Sequence, residues 1–490
     1  MKNKQQEIID TILFSLFVGI LSVLCAILYE GHDVDFNWYC VLGKDIVNGN
    51  PNFHGIDIHS WIAQERGFSE MQHSWLGTVI AYSFSVLIKP FDYAVLAFIF
   101  LTAVMCSAMF KRTFLKSFTA RPFLKLAAYI FVIYVTVSAT VFARTRSFDC
   151  LFFTLIYYLL LKNKKSKYRI IFMSIVSLLW ANIHGSSILF YFAFLFIFFV
   201  LNAIPDFKIG AIVHKQNKNE AIFLILTFVS SVLLGTINPY GIKLYSYALF
   251  ENTPYVKEGI GEWSKAGLFY IPIMLCLIIF LLHFVILKKE IEFKKILPVV
   301  MLLGMTGIHI RMGMYMNIAL IPIVLDIVQE IDKNFLKDNK IISNPVPTLL
   351  VCASCLICVI AETLNEIKTY EYYSISDNLI EYLNENQYER TYNDYDLGAY
   401  LIFNGIQDFV DARADFFDEE TLTGARKFNN ATFENQGDIE TFLQTFKFDA
   451  IILNQQSAVT IDYLLCNNWR IGFKDEREDK GFNYVVLIQE

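Results

Sequence analysis

Apolar runs of about 15 to 20 residues recur through residues 1–363 and then stop. A lipid-spanning backbone must satisfy its own hydrogen bonds, and serial apolar runs do so as helices. The chain therefore reads as an all-α polytopic membrane protein over 1–363, with a polar C-terminal domain over 364–490. Composition agrees: 55% of the 490 residues are hydrophobic and 18% are charged, where soluble domains carry about 25% charged residues. The polar tail, roughly 120 residues, is long enough for its own core.

The predicted spans, about eleven in number, are 11–29, 92–110, 124–143, 148–162, 169–184, 186–203, 220–237, 267–287, 296–310, 312–329 and 347–363. No small-residue cleavage pattern follows 11–29, so it reads as a retained span and not a signal peptide. Residues 75–90 are apolar enough to cross, but counting them would reverse the charge pattern of every later loop. They are expected to be a juxtamembrane or re-entrant helix, with 30–91 as one long outer loop.

Cations set the orientation. Lys2 and Lys4 precede the first span, and Lys111, Arg112, Lys116, Arg121 and Lys125 follow the second. Further groups lie at Lys162 to Arg169, Lys208 to Lys218, Lys288 to Lys295 and Lys333 to Lys340. These alternate loops hold about 22 cations against about nine opposite. The N-terminus and residues 111–125 and 162–168 are expected in the cytoplasm, the C-terminal domain outside, and the whole in the plasma membrane.

Other signals are bland. The net charge of −6 comes with no basic patch interleaved with aromatics, so nucleic acid is not an expected partner. Cys352, Cys355 and Cys358 have metal-like spacing but sit in an apolar run without His or acidic partners, and read as packing. Asn430-Ala431-Thr432 is a glycosylation sequon only in a eukaryotic secretory pathway. No phosphate loop, dinucleotide glycine pattern, His-Glu-x-x-His motif or Gly-x-Ser-x-Gly elbow occurs.

On this topology the unusual polar residues gather outside. Asp33 and Asp35 follow the first span, with His54, His59 and His73 further along that loop. Arg144, Arg146 and Asp149 share the next outer turn. Asn182 and His184 follow, then Asn238-Pro239-Tyr240-Gly241, Glu258, Glu262 and Trp263, and last His309 and Arg311. Ionisable groups near hydrocarbon depth usually face a cavity or a partner. Carboxylates beside arginines suit an anionic, lipid-linked substrate and proton transfer.

These motifs resemble the GT-C class of membrane glycosyltransferases. Asp33-Val34-Asp35-Phe36-Asn37-Trp38-Tyr39 is similar to the Asp-x-Asp-x-x-Trp-His start of a bacterial branch of that class, with Tyr39 where the branch has His. His73-Ser74-Trp75-Leu76, Ala181-Asn182-Ile183-His184-Gly185, Asn238-Pro239-Tyr240-Gly241, Glu262-Trp263 and Arg311 resemble the same branch. So do Asn393-Asp394, Gly398-Ala399-Tyr400 and Asp411-Ala412-Arg413. The resemblance implies transfer of a sugar from a polyprenyl-phosphate carrier to an acceptor on the outer face. It implies Asp35, then Asp33, as the catalytic base, and Arg311, then Arg144 and Arg146, as phosphate ligands. His184, Glu262, His73, Asn182 and Asn238 would bind or orient substrate. Asp33 and Asp35 could instead hold Mg²⁺ or Mn²⁺. A transporter or flippase for a lipid-linked or anionic solute, or a noncatalytic assembly protein, are the competing readings. No internal repeat favours the transporter.

The tail reads as a small α/β domain. Helices are expected at 375–387, 437–446 and 459–467, and strands at 408–411, 450–453 and 484–487 in a partly parallel sheet. Asp411 and Arg413 could bind a ligand or pair internally.

Overall fold

A computed structural model describes residues 2–28, 34–162, 167–250, 254–257, 260–267, 269–287, 289–338, 377–433, 436–477 and 481–489. Of the described residues, 70% are helical. It divides into two compact units: Met1–Gly31, Ile88–Ala248 and Gly261–Tyr370 form the first, and His32–Leu87, Leu249–Ile260 and Glu371–Glu490 form the second.

The first unit is a helix bundle. Its helices are α1 (Lys2–Leu28), α5 (Phe91–Thr113), α6 (Pro122–Thr140), α7 (Ser147–Lys162), α8 (Lys167–Ile183), α9 (Ile188–Ala203), α10 (Lys218–Gly235), α11 (Lys243–Phe250), α13 (Ile271–Leu281), α14 (Phe293–Ile308) and α15 (Gly313–Asp338). A helix falls on each predicted span except 347–363, which lies outside the described residues, as do Cys352, Cys355 and Cys358. Among the described residues, six helices are long and apolar enough to cross a membrane: Gln5–Leu28, Phe91–Thr113, Phe123–Thr140, Gly185–Ala203, Lys218–Gly235 and Ile310–Lys333. Others, such as Tyr168–Ile183 and Ile271–Phe284, are apolar but shorter. The α1 helix turns Ile12, Leu13, Phe17 and Ile20 outward, as a lipid-facing helix does. The α15 helix is the most enclosed of the six and packs on α14, α6, α13 and α7.

Contacts tie the cation-rich loops together at one end of this bundle. Glu7 pairs with Lys116 at 3.0 Å, Arg121 with Asp332 at 3.3 Å, and buried Arg169 with buried Glu220 at 2.7 Å. Lys295 pairs with Asp326 and Lys289 with Glu330. Short strands β1 (Phe207–Ile209), β2 (Ile212–His214) and β3 (Ile291–Glu292) join two of those loops in one small sheet.

The second unit is built from three chain segments. The first brings α2 (Val34–Val47), α3 (Trp61–Arg66) and α4 (Trp75–Leu87), and the second brings α12 (Pro254–Lys257). The third brings α16 (Asp377–Asn386), α17 (Tyr395–Phe403), α18 (Glu419–Asn429), α19 (Gln436–Phe446) and α20 (Ala458–Leu465). Strands β4 (Thr391–Tyr392), β5 (Ala450–Asn454), β6 (Trp469–Arg477) and β7 (Gly481–Gln489) form a sheet of order β4-β5-β7-β6. β4 and β5 are parallel and the other pairs antiparallel. Every residue of β5 is buried, which explains its unbroken apolar run.

Trp61 shows why the segment between α1 and α5 belongs here. Its ring stacks on Phe409 at 5.4 Å, and its indole N–H donates to the Thr391 carbonyl at 3.0 Å. Phe428, Phe442, Phe446 and Phe448 complete that aromatic core. α2 and α4 touch closely at Gly43, where a Cβ would stand 2.2 Å from the Thr78 carbonyl oxygen.

The helices expected at 375–387, 437–446 and 459–467 and the strands at 450–453 and 484–487 are present. The strand expected at 408–411 is not. Asp408 makes one isolated parallel bridge to Ser60. The Asn393 side chain then takes up the backbone, accepting from Phe409 N at 2.7 Å and donating to Val410 O at 2.7 Å. Strand-like composition had no ladder partner to pair with there.

Candidate functional site

The turn between α6 and α7 presents Arg144 and Arg146. Opposite them, the short helix Gly261–Trp263 presents Glu262, and Ile310–Met312, leading into α15, presents Arg311. Arg146 Nη1 reaches Glu262 Oε2 at 2.6 Å, and Arg144 pairs with Oε1. Arg146 Nη2 also donates to the Arg311 carbonyl at 2.5 Å. The Arg311 guanidinium lies 4.3 Å from the Trp263 ring centre, and His309 Nδ1 bonds the Trp263 carbonyl at 2.9 Å. Three guanidiniums thus face one carboxylate. Burial pushes the Glu262 carboxyl up, but Arg146, Arg144 and Arg311 pull it down to about 2. A third of that side chain is open, so solvent screens part of the attraction.

Beside this cluster lies a buried acceptor. Asp149, in the first turn of α7, is fully buried. It accepts from Trp180 Nε1 at 2.7 Å, His184 Nδ1 at 2.8 Å and Tyr315 OH at 2.8 Å. A carboxylate only accepts, so His184 carries its proton on Nδ1. Its Nε2 faces Ser186 Oγ at 3.3 Å. The cluster therefore combines excess positive charge with an oriented imidazole.

Arg144, Arg146, His184, Glu262 and Arg311 come together in the first unit. Asn182 and Asn238 are also in that unit, and their bonds hold backbone. Asn182 donates to Leu178 O and Ile237 O at 2.7 and 2.9 Å. Asn238 closes its own turn by accepting from Tyr240 N at 2.8 Å, with Gly241 at φ +57°. Asp35 and His73 belong to the second unit. Asp35 starts α2, half-buried, and lies close enough to Tyr395 to help burial raise that phenol's pKa. Asp33 and Glu258 lie outside the described residues. Among the described residues, no group of three or more His, Cys, Asp or Glu could hold a metal ion. Tyr315 and Trp180 were missed because each sits inside an apolar run, where an aromatic reads as packing.

The second unit holds its own charge cluster. Arg413 is buried and donates to Asp411 at 2.5 to 3.0 Å, to Asp57 at 2.6 Å and to Glu70 at 3.1 Å. Asp411 and Arg413 are thus an internal ion pair, joined by Asp57 and Glu70 from the segment between α2 and α4. Burial drives Glu70 up to about 8 against the pull of Arg413. Asp408 is fully buried. Burial and the neighbouring Asp411 push its carboxyl well above the usual range.

A carboxyl with a raised folded pKa contributes stability at low pH and loses it as pH rises through the folded value. Asp408→Asn keeps the shape of the protonated acid and cannot ionise. It is expected to stabilise the protein by about 1–3 kcal/mol at pH 9, with less gain at pH 5. Thermal melts of the full-length protein at both pH values measure this. Equal or lower stability at pH 9 would mean that Asp408 is ionised and well held.

No family model matches this chain, and no curated protein matches it.

Proposed function

We propose that this protein is a membrane glycosyltransferase that moves a sugar from a polyprenyl-phosphate carrier to a hydroxyl acceptor on the outer face of the plasma membrane. The observation that carries this reading is the convergence of Arg144, Arg146 and Arg311 on one glutamate. Guanidinium planes match phosphate oxygens in pairs. The motif resemblance to the GT-C class supports the same chemistry. The acceptor oxygen attacks the anomeric carbon and gives its proton to a carboxylate. The bond to the carrier phosphate breaks, and the phosphate leaves with the electron pair. Arginine stabilises the charge that develops there. The resemblance gives Asp35 the role of base.

The span count of eleven belongs to this reading. The second unit's three segments must end on one side of the bilayer. Between the first two, α5 with α6, α7 with α8 and α9 with α10 pair off as out-and-back crossings. Between the last two, α13 pairs with α14, and the sequence offers the apolar run 347–363 to pair with α15. The cation count supports a cytoplasmic N-terminus and an outer C-terminal domain.

Purified protein should transfer sugar from a polyprenyl-phosphate donor and not from a nucleotide sugar. Arg311→Ala should lower that transfer about ten- to hundredfold. Its main-chain bond to Arg146 survives the change, so folding should suffer less than transfer. Turnover with a nucleotide sugar and no lipid carrier would refute the proposal. Silence of the folded protein with both donors would favour the transporter or the noncatalytic reading.

A further inference from the structure

The cation-rich end of the bundle contains a cavity unconnected with the arginine cluster. α1 begins polar, with Gln6, Glu7, Asp10 and Thr11, before its apolar run. α5 ends in Lys111-Arg112, and α6 carries Lys125 in its first turns. These ends meet around a space of about 260 Å³ lined by Asp10, Thr11, Lys111, Lys116, Lys125 and Tyr129. Liquid water takes about 30 Å³ per molecule, so a phosphodiester and a small polar substituent fit.

Charge in this cavity is unevenly committed. Lys116 is paired with Glu7, and Asp10 accepts from the Gln6 amide at 3.0 Å. Among the described residues, Lys111 and Lys125 have no carboxylate partner. Both are held over the Tyr129 ring, at 4.4 and 5.7 Å from its centre, and Lys111 also lies 5.6 Å from that of Phe14. Lys111 donates to the Tyr129 hydroxyl, which leaves the phenol proton free to donate elsewhere. An ammonium has three donors, so Lys111 keeps capacity as well. Three lysines against Glu7 and Asp10 leave one net positive charge, the complement of a single phosphodiester.

The outward faces of the helices that carry this cavity are apolar. Ile8, Ile9, Ile12 and Leu13 on α1 and Leu126 on α6 are all exposed. A free phosphate has no use for that surface, whereas acyl chains do.

We propose that this cavity binds the head group of an anionic glycerophospholipid, with its acyl chains along α1 and α6. The phosphodiester meets Lys111, Lys125 and the Tyr129 hydroxyl. A zwitterionic lipid carries its own cation and lacks the net charge to match. Basic pockets between helices at the cation-rich side of membrane proteins recognise anionic head groups on this principle.

Native mass spectrometry of the full-length protein in neutral detergent tests this, with phosphatidylglycerol, phosphatidylcholine or inorganic phosphate added in turn. Phosphatidylglycerol should be retained in preference to phosphatidylcholine. The double variant Lys111→Gln, Lys125→Gln should weaken that retention about tenfold or more. Glu7→Gln removes a competing anion without touching Lys111 or Lys125, so it should strengthen retention even if the double variant folds poorly. Equal retention of the two lipids, unchanged preference in the double variant, or no gain in Glu7→Gln would each overturn the proposal. Displacement of the lipid by millimolar phosphate would assign the cavity to a soluble anion instead, and would equally overturn it.

Discussion

Replacing Arg413 by methionine is expected to unfold the second unit. Arg413 is the sole cation among the described residues to pair with Asp57, Glu70 and Asp411, and nearly all of its surface is buried. Methionine keeps much of the side-chain volume and its place near the Phe416 ring, which lies 4.8 Å from the guanidinium, but it removes every donor. Buried carboxylates are then left facing one another in a low dielectric. Removing one partner of a buried pair typically costs about 3–5 kcal/mol, against a total stability of about 5–15 kcal/mol. Here one cation serves several anions, so the loss should fall at or above the top of that range. The deficit should shrink in acid. Glu70 stands near 8 with Arg413 present, and loss of the arginine raises it further. At pH 5 Glu70 and Asp408 are therefore protonated, and less repulsion remains. Proteolysis of residues 377–489 in the full-length protein, read at pH 5 and pH 8, measures both effects. Wild-type resistance at pH 8 would show that the carboxylates are neutral or hydrated without their arginine.

Asp149→Ala is expected to be nearly as damaging in the bundle. It strips the acceptor from Trp180, His184 and Tyr315 together. Interhelical hydrogen bonds in membranes average about 0.6 kcal/mol, which sets a floor of about 2 kcal/mol for three. Orphaned buried donors in soluble proteins cost about 1–3 kcal/mol each, which sets the ceiling several-fold higher. An ionised acceptor argues for the upper half, because its bonds are the stronger kind. Asp149→Asn should be intermediate, since an amide turns an NH₂ group toward donors. His184 loses its fixed tautomer in both variants, so any transfer activity should fall in both. Melting of the purified protein separates them, with the order wild type, Asn, Ala. A melting point for Asp149→Ala equal to that of the wild type would mean the three donors reach other acceptors.

What could be read in advance follows from how local each signal is. Spans are local, because a run of apolar residues specifies a lipid-facing helix without reference to the rest of the chain. Arg144, Arg146, Glu262 and Arg311 were also legible as a group, because the alternation of charged loops placed them on one side. Asp149 stood out as a charge in the same turn, but its partners did not. Trp180 and Tyr315 show a polar role only once α7, α8 and α15 are packed. The second unit was least legible. Asp411 and Arg413 are neighbours in sequence, but Asp57 and Glu70 come from a loop more than 340 residues earlier. Likewise the apolar pattern at 408–411 suggested a strand, and only the position of Asn393 explains why the ladder stops at one bridge. Residues 347–363, Asp33 and Glu258 lie outside the described residues.

The three-segment construction of the second unit also sets a timetable for its synthesis. Trp61 leaves the ribosome 330 residues before Thr391, whose carbonyl its indole will bond. At about 5–20 residues per second, that is a wait of about 20 to 60 seconds. During it, the half-core of Trp61 and Ile62 has no partner face, because the segment that completes it is still being made. Nascent chains that stall in this window expose an apolar surface and an unpaired set of acids. The step most exposed to misfolding is therefore the delay before the last segment arrives, and a folding factor that shields Trp61 would act there.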